Sequence, residues 1–310
     1  MNKNTKFEIA LSLFMLLLSS SIVVLAVSLD LPIIVPYFFA SLVVLFTTLI
    51  LANLYSYRLM NRHKIIHADR PKIMKKVNKV VWVDGGNLFV VNKAKTANKK
   101  ITDGSKIVQT YTFSIKQWEL ATTSKGFKMN DFFALDGSNC LDCPFSVSSG
   151  DGGCYTHKFQ QYSGMLMMLR SIKAESLTPL DKEKYRNIMD MSHDTYIRFG
   201  TYGEPSLLPI ALVESMSLLS KSWTGYTHQW KKEWASDYGK YFMASAHNQD
   251  DANKAKEIEY RSFIATKDGT EKAVGCPASK EMGFKTNCAK CGLCSGTEGK
   301  GKTDIKILEH

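Results

Sequence analysis

Seven cysteines, all at or beyond position 140, are the residues of this 310-residue chain best suited to chemistry. They fall into two groups, named here the N-terminal and the C-terminal cysteine group. The members are Cys140, Cys143 and Cys154 in the first group and Cys276, Cys288, Cys291 and Cys294 in the second. Closely spaced thiolates are typical metal ligands. Three ligands in one place and four in another predict two metal centres, one with an open position and one closed.

The C-terminal group has the sharper spacing, C-x2-C-x2-C preceded by Cys276. Two-residue gaps let consecutive thiolates turn toward one point, as in ferredoxin-type runs, and Gly292 and Gly296 let the backbone bend around that point. We favour an iron–sulfur cluster, with structural zinc as the alternative and a cysteine set without metal as a third reading. In the N-terminal group, three thiolates suit an open cluster. A zinc-stapled loop completed by His157 is the alternative.

Two apolar runs, Ile9–Leu29 and Leu31–Leu54, are each long enough to cross a bilayer as a helix. Basic residues on both outer flanks predict a two-pass membrane protein with its main domain in the cytoplasm and residues 9–54 in contact with lipid. A secretory signal peptide is the competing interpretation of the first run. A cytoplasmic domain lies in a reducing compartment, which favours metal ligands or catalytic groups over disulfides.

The positive charge of the chain is concentrated directly after these runs. Ser56–Lys128 holds 16 Lys or Arg against four acids, whereas the whole chain has a net charge of +11. Such a segment can be a solvated basic face, or it can contact anionic lipid headgroups or nucleic-acid phosphates. We favour the first two over nucleic acid, because no aromatic-interleaved motif of an RNA- or DNA-binding module lies there. The chain also lacks a Walker loop, a dinucleotide-binding glycine motif, a nucleophile elbow and a zinc-protease helix, which excludes those classes.

Strand and helix patterns alternate from the middle of the chain onward. Val80–Val91 predicts a β-hairpin around Asp84-Gly85-Gly86-Asn87. Further strands are predicted at Ile107–Ile115, Asp131–Leu135, Thr195–Phe199, Trp223–Thr227, Tyr241–Ala246, Tyr260–Ala265 and Lys272–Val274. Helices are predicted at Phe159–Ile172, Pro179–Met191, Ser206–Leu219 and Gln249–Glu257.

This order predicts an α/β fold: a parallel (β/α) partial or complete barrel with a β-hairpin region and a cysteine-rich C-terminal module, preceded by two transmembrane helices. The expected domains are a transmembrane hairpin (1–62), a basic β-rich segment (63–135), an α/β domain (136–275) and the cysteine-rich module with its tail (276–310). Chemistry in such folds collects at the carboxyl ends of strands. Tyr226 and His228 end one strand and are weak catalytic candidates, although hydrogen-bonded packing explains them equally simply.

A three-cysteine loop followed by a helix and a strand ending in Gly-Glu-Pro resembles the layout of radical S-adenosylmethionine enzymes. RFGTYGEPSLLP is similar to that family's glycine-rich segment. The resemblance implies that Gly203, Glu204 and Pro205 meet the amino group of S-adenosylmethionine, with Arg198 as a cofactor contact or a structural ion-pair partner. The spacing C-x2-C-x10-C differs from the C-x3-C-x2-C common in that family.

The range 80–296 also resembles an uncharacterised, phage-type cysteine-rich family distantly related to those enzymes, with the membrane hairpin as an addition. The resemblance implies a membrane-anchored iron–sulfur protein whose substrate is unknown. The N-terminal cysteine group would hold the open cluster, and the C-terminal cysteine group would hold an auxiliary cluster. The alternatives are a non-enzymatic zinc protein that contacts nucleic acid or a membrane partner, and an iron–sulfur redox sensor or electron carrier. Whether the chain is an enzyme stays open at this stage.

Overall fold

Two β-sheets with helices packed around them make up the part of the chain that the computed structural model describes, residues 77–154, 156–157 and 159–308. The strands of the first sheet are β1 (Lys79–Asp84), β2 (Asn87–Ala94), β3 (Ile107–Ser114), β4 (Tyr196–Tyr202) and β5 (Ser222–Thr224). Those of the second are β6 (Tyr226–Thr227), β7 (Met243–Ala246), β8 (Ser262–Thr266), β9 (Val274–Gly275) and β10 (Ile305–Leu308).

The predicted hairpin is confirmed. β1 and β2 pair antiparallel from Lys79–Asn92 to Asp84–Asn87, and Gly85 and Gly86 take positive φ in the two-residue turn. β2 pairs antiparallel with β3, after which β3–β4 and β4–β5 are parallel. Trp82 and Phe89 stack on one face of this sheet, while Leu88 and Val90 are buried on the other. The first sheet is therefore covered on both faces.

Eight α-helices are described. They are α1 (Ile115–Thr123), α2 (Met129–Phe133), α3 (Gly137–Cys140), α4 (Phe159–Arg170), α5 (Lys182–Ser192), α6 (Ile210–Leu219), α7 (Gln249–Glu257) and α8 (Cys288–Cys291). Helices α5 and α6 pack on the Trp82 face of the first sheet, and α1, α2 and α4 pack on the Leu88 face. This arrangement leaves the loops between α3 and α4 and around α8 to carry the cysteines.

Two local predictions are wrong. The predicted strand Asp131–Leu135 is helix α2, because Asp131 accepts a hydrogen bond from the Lys128 amide at 2.8 Å and caps the turn. A short apolar run such as this one fits a buried helix as well as a strand. The predicted helix start at Pro179 moves to Lys182, since Asp181 accepts the amide of Lys184 and caps the helix. By contrast, α7 has the predicted bounds.

The predicted barrel is wrong as well. The second sheet is entirely parallel in the order β6-β7-β8-β10-β9, but it is separate from the first sheet, which is mixed, and no barrel closure is seen among the described residues. The antiparallel hairpin occupies one side of the first sheet, so its parallel part has only three strands. Gly225 then separates β5 from β6, and the chain passes from one sheet to the other.

The membrane prediction is also corrected. Between residues 77 and 308, no described helix has the length and apolar character that a bilayer crossing requires. The two runs on which the prediction rested, Ile9–Leu29 and Leu31–Leu54, lie outside the described residues. The predicted two-pass topology and its transmembrane helices are therefore withdrawn.

Candidate functional site: two clusters of free thiols

The N-terminal cysteine group lies on a loop that folds back on itself. Cys140 ends α3, and the Cys154 amide donates to the Phe145 carbonyl at 3.1 Å, which returns the loop to its starting point. The buried carboxylate of Asp136 accepts the amides of Val147 and Ser148, each at 3.1 Å. A carboxylate that receives two backbone amides fixes the loop, so three thiols distant in sequence become neighbours.

Asn139 connects this loop to the first sheet. Its side-chain amide donates to the Thr112 carbonyl at 3.0 Å, and its backbone carbonyl accepts the Glu204 amide at 2.7 Å. Glu204 follows β4, is buried, and accepts from Ser206 Oγ at 2.7 Å and from the His228 amide at 3.1 Å. The structure therefore places Glu204 and His228 next to the N-terminal group. Glu204 was predicted from the resemblance, and His228 was predicted from its position at a strand end.

His228 contacts the thiols directly. Its Nδ1 is 3.5 Å from Cys143 Sγ, and its Nε2 is buried without a hydrogen-bond partner. Burial, followed by the nearby charge of His247, lowers the pKa of His228 to about 4, so the imidazole is neutral at pH 7. Because the His228 imidazole is uncharged, it does not stabilise a Cys143 thiolate through charge.

Burial and the neighbouring charges favour the protonated form of Cys140, whereas the Asn139 side-chain amide, which donates to Cys140 Sγ at 3.5 Å, is a weak opposing contact. Burial raises the pKa of the Cys140 thiol, and the charges of Asp136, Cys143, Cys154 and Glu204 raise it further. Burial also raises the pKa of Cys143, to about 12, and that of Cys154, although Thr156 hydrogen bonds oppose the shift at Cys154. The N-terminal group is thus a set of half-buried, protonated thiols in acidic surroundings.

The C-terminal cysteine group is assembled from the end of β9 and the loop around α8. The Cys276 amide donates to the Lys306 carbonyl at 2.8 Å, and the Cys288 amide donates to the Lys100 carbonyl at 2.9 Å. Cys276 and Cys294 are buried in one apolar cluster, against which Cys288 packs. Each residue of the group is a free thiol, and the charges of Cys276, Cys288 and Cys291 all raise the pKa of Cys294.

Cations distinguish this group from the first. Burial raises the pKa of Cys288, but the charges of Arg198 and Lys100 lower it; burial likewise raises that of Cys276, and Lys100 opposes it. The Tyr226 hydroxyl hydrogen-bonds Cys294 and works against the burial that raises the pKa of Cys294 to about 12. Arg198, predicted for a cofactor site with Glu204, and Tyr226, a weak catalytic candidate, thus lie with the C-terminal thiols.

Arg261 holds the second half of the C-terminal loop and was not predicted. Its guanidinium is largely buried and donates to the carbonyls of Leu293, at 3.0 Å, and Gly296, at 2.7 Å, and to that of Thr303. A guanidinium with its planar donors suits several carbonyls at once. In the sequence, its only distinguishing feature is that a charged residue directly precedes an apolar strand.

Gly203 and Pro205 have structural roles beside Glu204. Gly203 has a φ of +76°, and a Cβ there would lie 2.4 Å from the Thr112 carbonyl oxygen. Pro205 begins a 3-10 turn, Pro205–Leu207, which Glu204 caps through the Ser206 amide at 3.0 Å. These contacts explain a Gly-Glu-Pro sequence at the end of β4 through backbone packing.

The predicted metal centres are not borne out. Among the described residues, no group of three or more Cys, His, Asp or Glu side chains is placed to hold a metal ion. The description of the chain as a metal-binding, 4Fe–4S iron–sulfur and radical S-adenosylmethionine-like protein is therefore withdrawn.

Comparison of the chain with protein-family profiles, with curated proteins and with solved structures found no match. The resemblance to a phage-type cysteine-rich family stays a prediction, as do zinc, S-adenosylmethionine, headgroup and nucleic-acid binding.

Proposed function

We propose that this chain is a thiol-based redox protein whose C-terminal cysteines form a reversible disulfide in response to an oxidant. An iron–sulfur redox sensor was one of the alternatives predicted from the sequence. The proposal retains redox sensing but assigns it to the cysteine thiols instead of an iron–sulfur cluster. The observation that carries it is the position of Cys288 and Cys291 at the two ends of one helical turn, both half-buried and beside two further thiols.

The geometry of α8 suits this chemistry. Residues three apart in a helix have Cα atoms about 5 Å apart, within the range that a disulfide accepts. Gly292, with a φ of +64°, ends the helix directly after Cys291 and turns the chain back toward Cys294. Burial raises the pKa of Cys288, and the charges of Arg198 and Lys100 oppose that shift and so favour the thiolate, which is the attacking species in thiol–disulfide exchange.

The reaction balances with a low-molecular-weight disulfide, RSSR, as the oxidant. The Cys288 thiolate attacks one sulfur of RSSR, which forms a mixed disulfide and releases RS⁻. The Cys291 thiolate then attacks Cys288 Sγ, which forms the intramolecular disulfide and releases the second RS⁻. Both released thiolates take up the protons lost by the two cysteines, so two electrons pass from the protein to RSSR.

The test is oxidation of the anaerobically purified full chain with oxidised glutathione, followed by alkylation and peptide mass mapping. We expect a Cys288–Cys291 disulfide to form about tenfold faster than any disulfide in the N-terminal group, a ratio equivalent to about 1.4 kcal/mol. Cys291→Ser should stop at a mixed disulfide on Cys288. The matched control, Cys143→Ser, should oxidise like the wild type.

Two outcomes would overturn the proposal. The first is equal oxidation of the two groups, or none within residues 276–294. The second is stoichiometric iron or zinc in the purified protein that protects these thiols from alkylation, because bound metal would assign the cysteines a different role.

A further inference from the structure

A cleft opens at the carboxyl ends of β7 and β8 and is separate from the C-terminal cysteines. Its volume is about 420 Å³. Its lining comprises Phe145, Asp151, His247, Lys267, Asp268 and Glu271. His247 follows β7 directly and Lys267 follows β8 directly, while Phe145 and Asp151 come from the loop of the N-terminal cysteine group. Parallel α/β sheets bind ligands in crevices outside the carboxyl ends of their strands.

The charges in the cleft favour a cation. Three carboxylates line it against one lysine, so it has a formal excess of negative charge with imidazole counted as neutral. Hydrogen bonds from Thr270 lower the pKa of Asp268, which keeps that carboxylate ionised at neutral pH. A ligand with one positive charge would reduce the repulsion among the three acids.

One acceptor in the cleft lacks a donor. Glu271 Oε2 is buried and has no hydrogen-bond partner, whereas Asp268 Oδ1 accepts from the Thr270 amide at 3.1 Å and Asp151 Oδ1 accepts from the Gly153 amide at 2.8 Å. An unpaired buried acceptor costs roughly 1–3 kcal/mol, more when it is charged. A ligand that presents an N–H donor to Glu271 would recover that cost.

Aromatic rings form a second recognition surface. Phe145 meets His247 edge to face at a centroid separation of 5.0 Å, and His247 stacks on His228 at 5.8 Å. Aromatic faces attract organic cations and pack against their aliphatic bodies. This wall distinguishes an organic ammonium from a hydrated metal ion.

We propose that this cleft binds a small organic molecule that bears a protonated primary amine, with Glu271 accepting an ammonium N–H and Phe145 contacting its aliphatic body. The ligand class is set by three features together: the excess of carboxylates, the acceptor without a donor and the aromatic wall. The proposal is independent of thiol oxidation at the C-terminal group.

The test measures binding of n-butylammonium to the full chain by ligand-observed NMR, with n-butyrate and tetramethylammonium as comparison probes. We expect butylammonium to bind, and butyrate not to bind. Glu271→Gln should weaken butylammonium binding about tenfold or more, as expected for a hydrogen bond to a charged group. Glu257→Gln, an exposed acid on α7 that does not line the cleft, should leave it unchanged.

Glu271→Gln should melt at or above the wild-type temperature, because it removes the charge of an unpaired buried acceptor, and this separates loss of the ligand from loss of the fold. The proposal is overturned if butylammonium does not bind the wild type or if Glu271→Gln binds it as well as the wild type does. Tetramethylammonium binding as tight as butylammonium would overturn it too, because that cation has no N–H to donate to Glu271.

Discussion

The N-terminal and C-terminal cysteine groups contain the same side chain in opposite electrostatic surroundings. Asp136 and Glu204 raise the pKa of Cys140 in the first group, whereas Arg198 and Lys100 lower that of Cys288 in the second. Burial raises the pKa in both places, so the neighbouring charges make the difference. Thiol spacing alone therefore does not predict which cysteines react, because the thiolate fraction depends on charges contributed by other elements.

The supporting backbone also differs between the two groups. The N-terminal loop is fixed by Asp136 and by the link from Asn139 to the first sheet, while the C-terminal loop is fixed by more distant elements: Arg261 directly before β8, Lys100 before β3 and Gly225 between the sheets. Each loop has a glycine at which a Cβ would collide with backbone. These glycines allow each group to be disrupted separately.

Gly150→Ala and Gly296→Ala should produce the largest effects. A Cβ at Gly150 would lie 1.9 Å from the Pro144 carbonyl oxygen, and one at Gly296 would lie 2.5 Å from that of Lys240 with φ at +63°. Each variant should lose about 2–3 kcal/mol of stability. If opening is local, alkylation should speed up about 30- to 100-fold only in the group whose loop is altered.

Gly164→Ala is the matched control for both variants. Gly164 lies on α4 with open space where a Cβ would stand. This substitution should stabilise the chain by about 0.5–1 kcal/mol, as expected inside a helix, and should leave alkylation of both groups unchanged. Equal deprotection of all seven cysteines in Gly150→Ala would contradict the separation of the two loops.

Acid should destabilise the fold through His228, which lies beside the N-terminal group. Its pKa is lowered from 6.5 to about 4, so the unfolded chain binds a proton that the folded chain does not. The free energy of unfolding should therefore fall as pH drops from 6.5 toward 4, with a limiting slope of about 1.4 kcal/mol per pH unit. Urea unfolding across this range measures the slope.

His228→Gln isolates the histidine contribution from that of carboxylates. Its neutral side chain cannot take up the proton, so the difference between the wild-type and variant slopes between pH 6.5 and 4 reports His228 alone. Identical slopes in the two proteins would show that His228 is not held neutral by its burial.

Lys100→Ala should have the smallest effect of these substitutions. It tests how much a neighbouring positive charge contributes to thiol reactivity at the C-terminal group. Removal of this charge should raise the pKa of Cys276 and Cys288 and slow oxidation at pH 7 about two- to threefold, in proportion to the lost thiolate. The difference should vanish at a pH above both pKa values. Stopped alkylation time courses at several pH values measure it.

Lys290→Ala is the control for charge near α8. Lys290 forms an exposed ion pair with Asp103 at 3.2 Å, which is of a kind worth about 0–1 kcal/mol. Its removal should change neither the oxidation rate nor its pH dependence. A slower rate in both lysine variants would indicate that net charge, rather than the position of Lys100, governs the thiols.

Elements with a strong local signal could be read from the sequence. The β1–β2 hairpin follows from apolar runs on both sides of Asp84-Gly85-Gly86-Asn87, since that turn tolerates positive φ at both glycines. Helix α7 begins at an Asn248 cap that accepts the Asp251 amide at 2.8 Å. Helix α2 was misread, because Phe132 and Phe133 alone do not distinguish a buried helix from a strand.

Sequence alone determined that seven thiols fall into two groups, that Glu204 follows a strand and that a hairpin opens the described fold. Tertiary structure decided which charges surround each cysteine group. It also placed Arg198 and Tyr226 beside the C-terminal group, and it arranged the strands in two sheets instead of a barrel. The reason is physical: cysteine spacing and strand propensity are local properties, whereas burial, charge proximity and strand partners depend on contacts between residues up to a hundred or more positions apart.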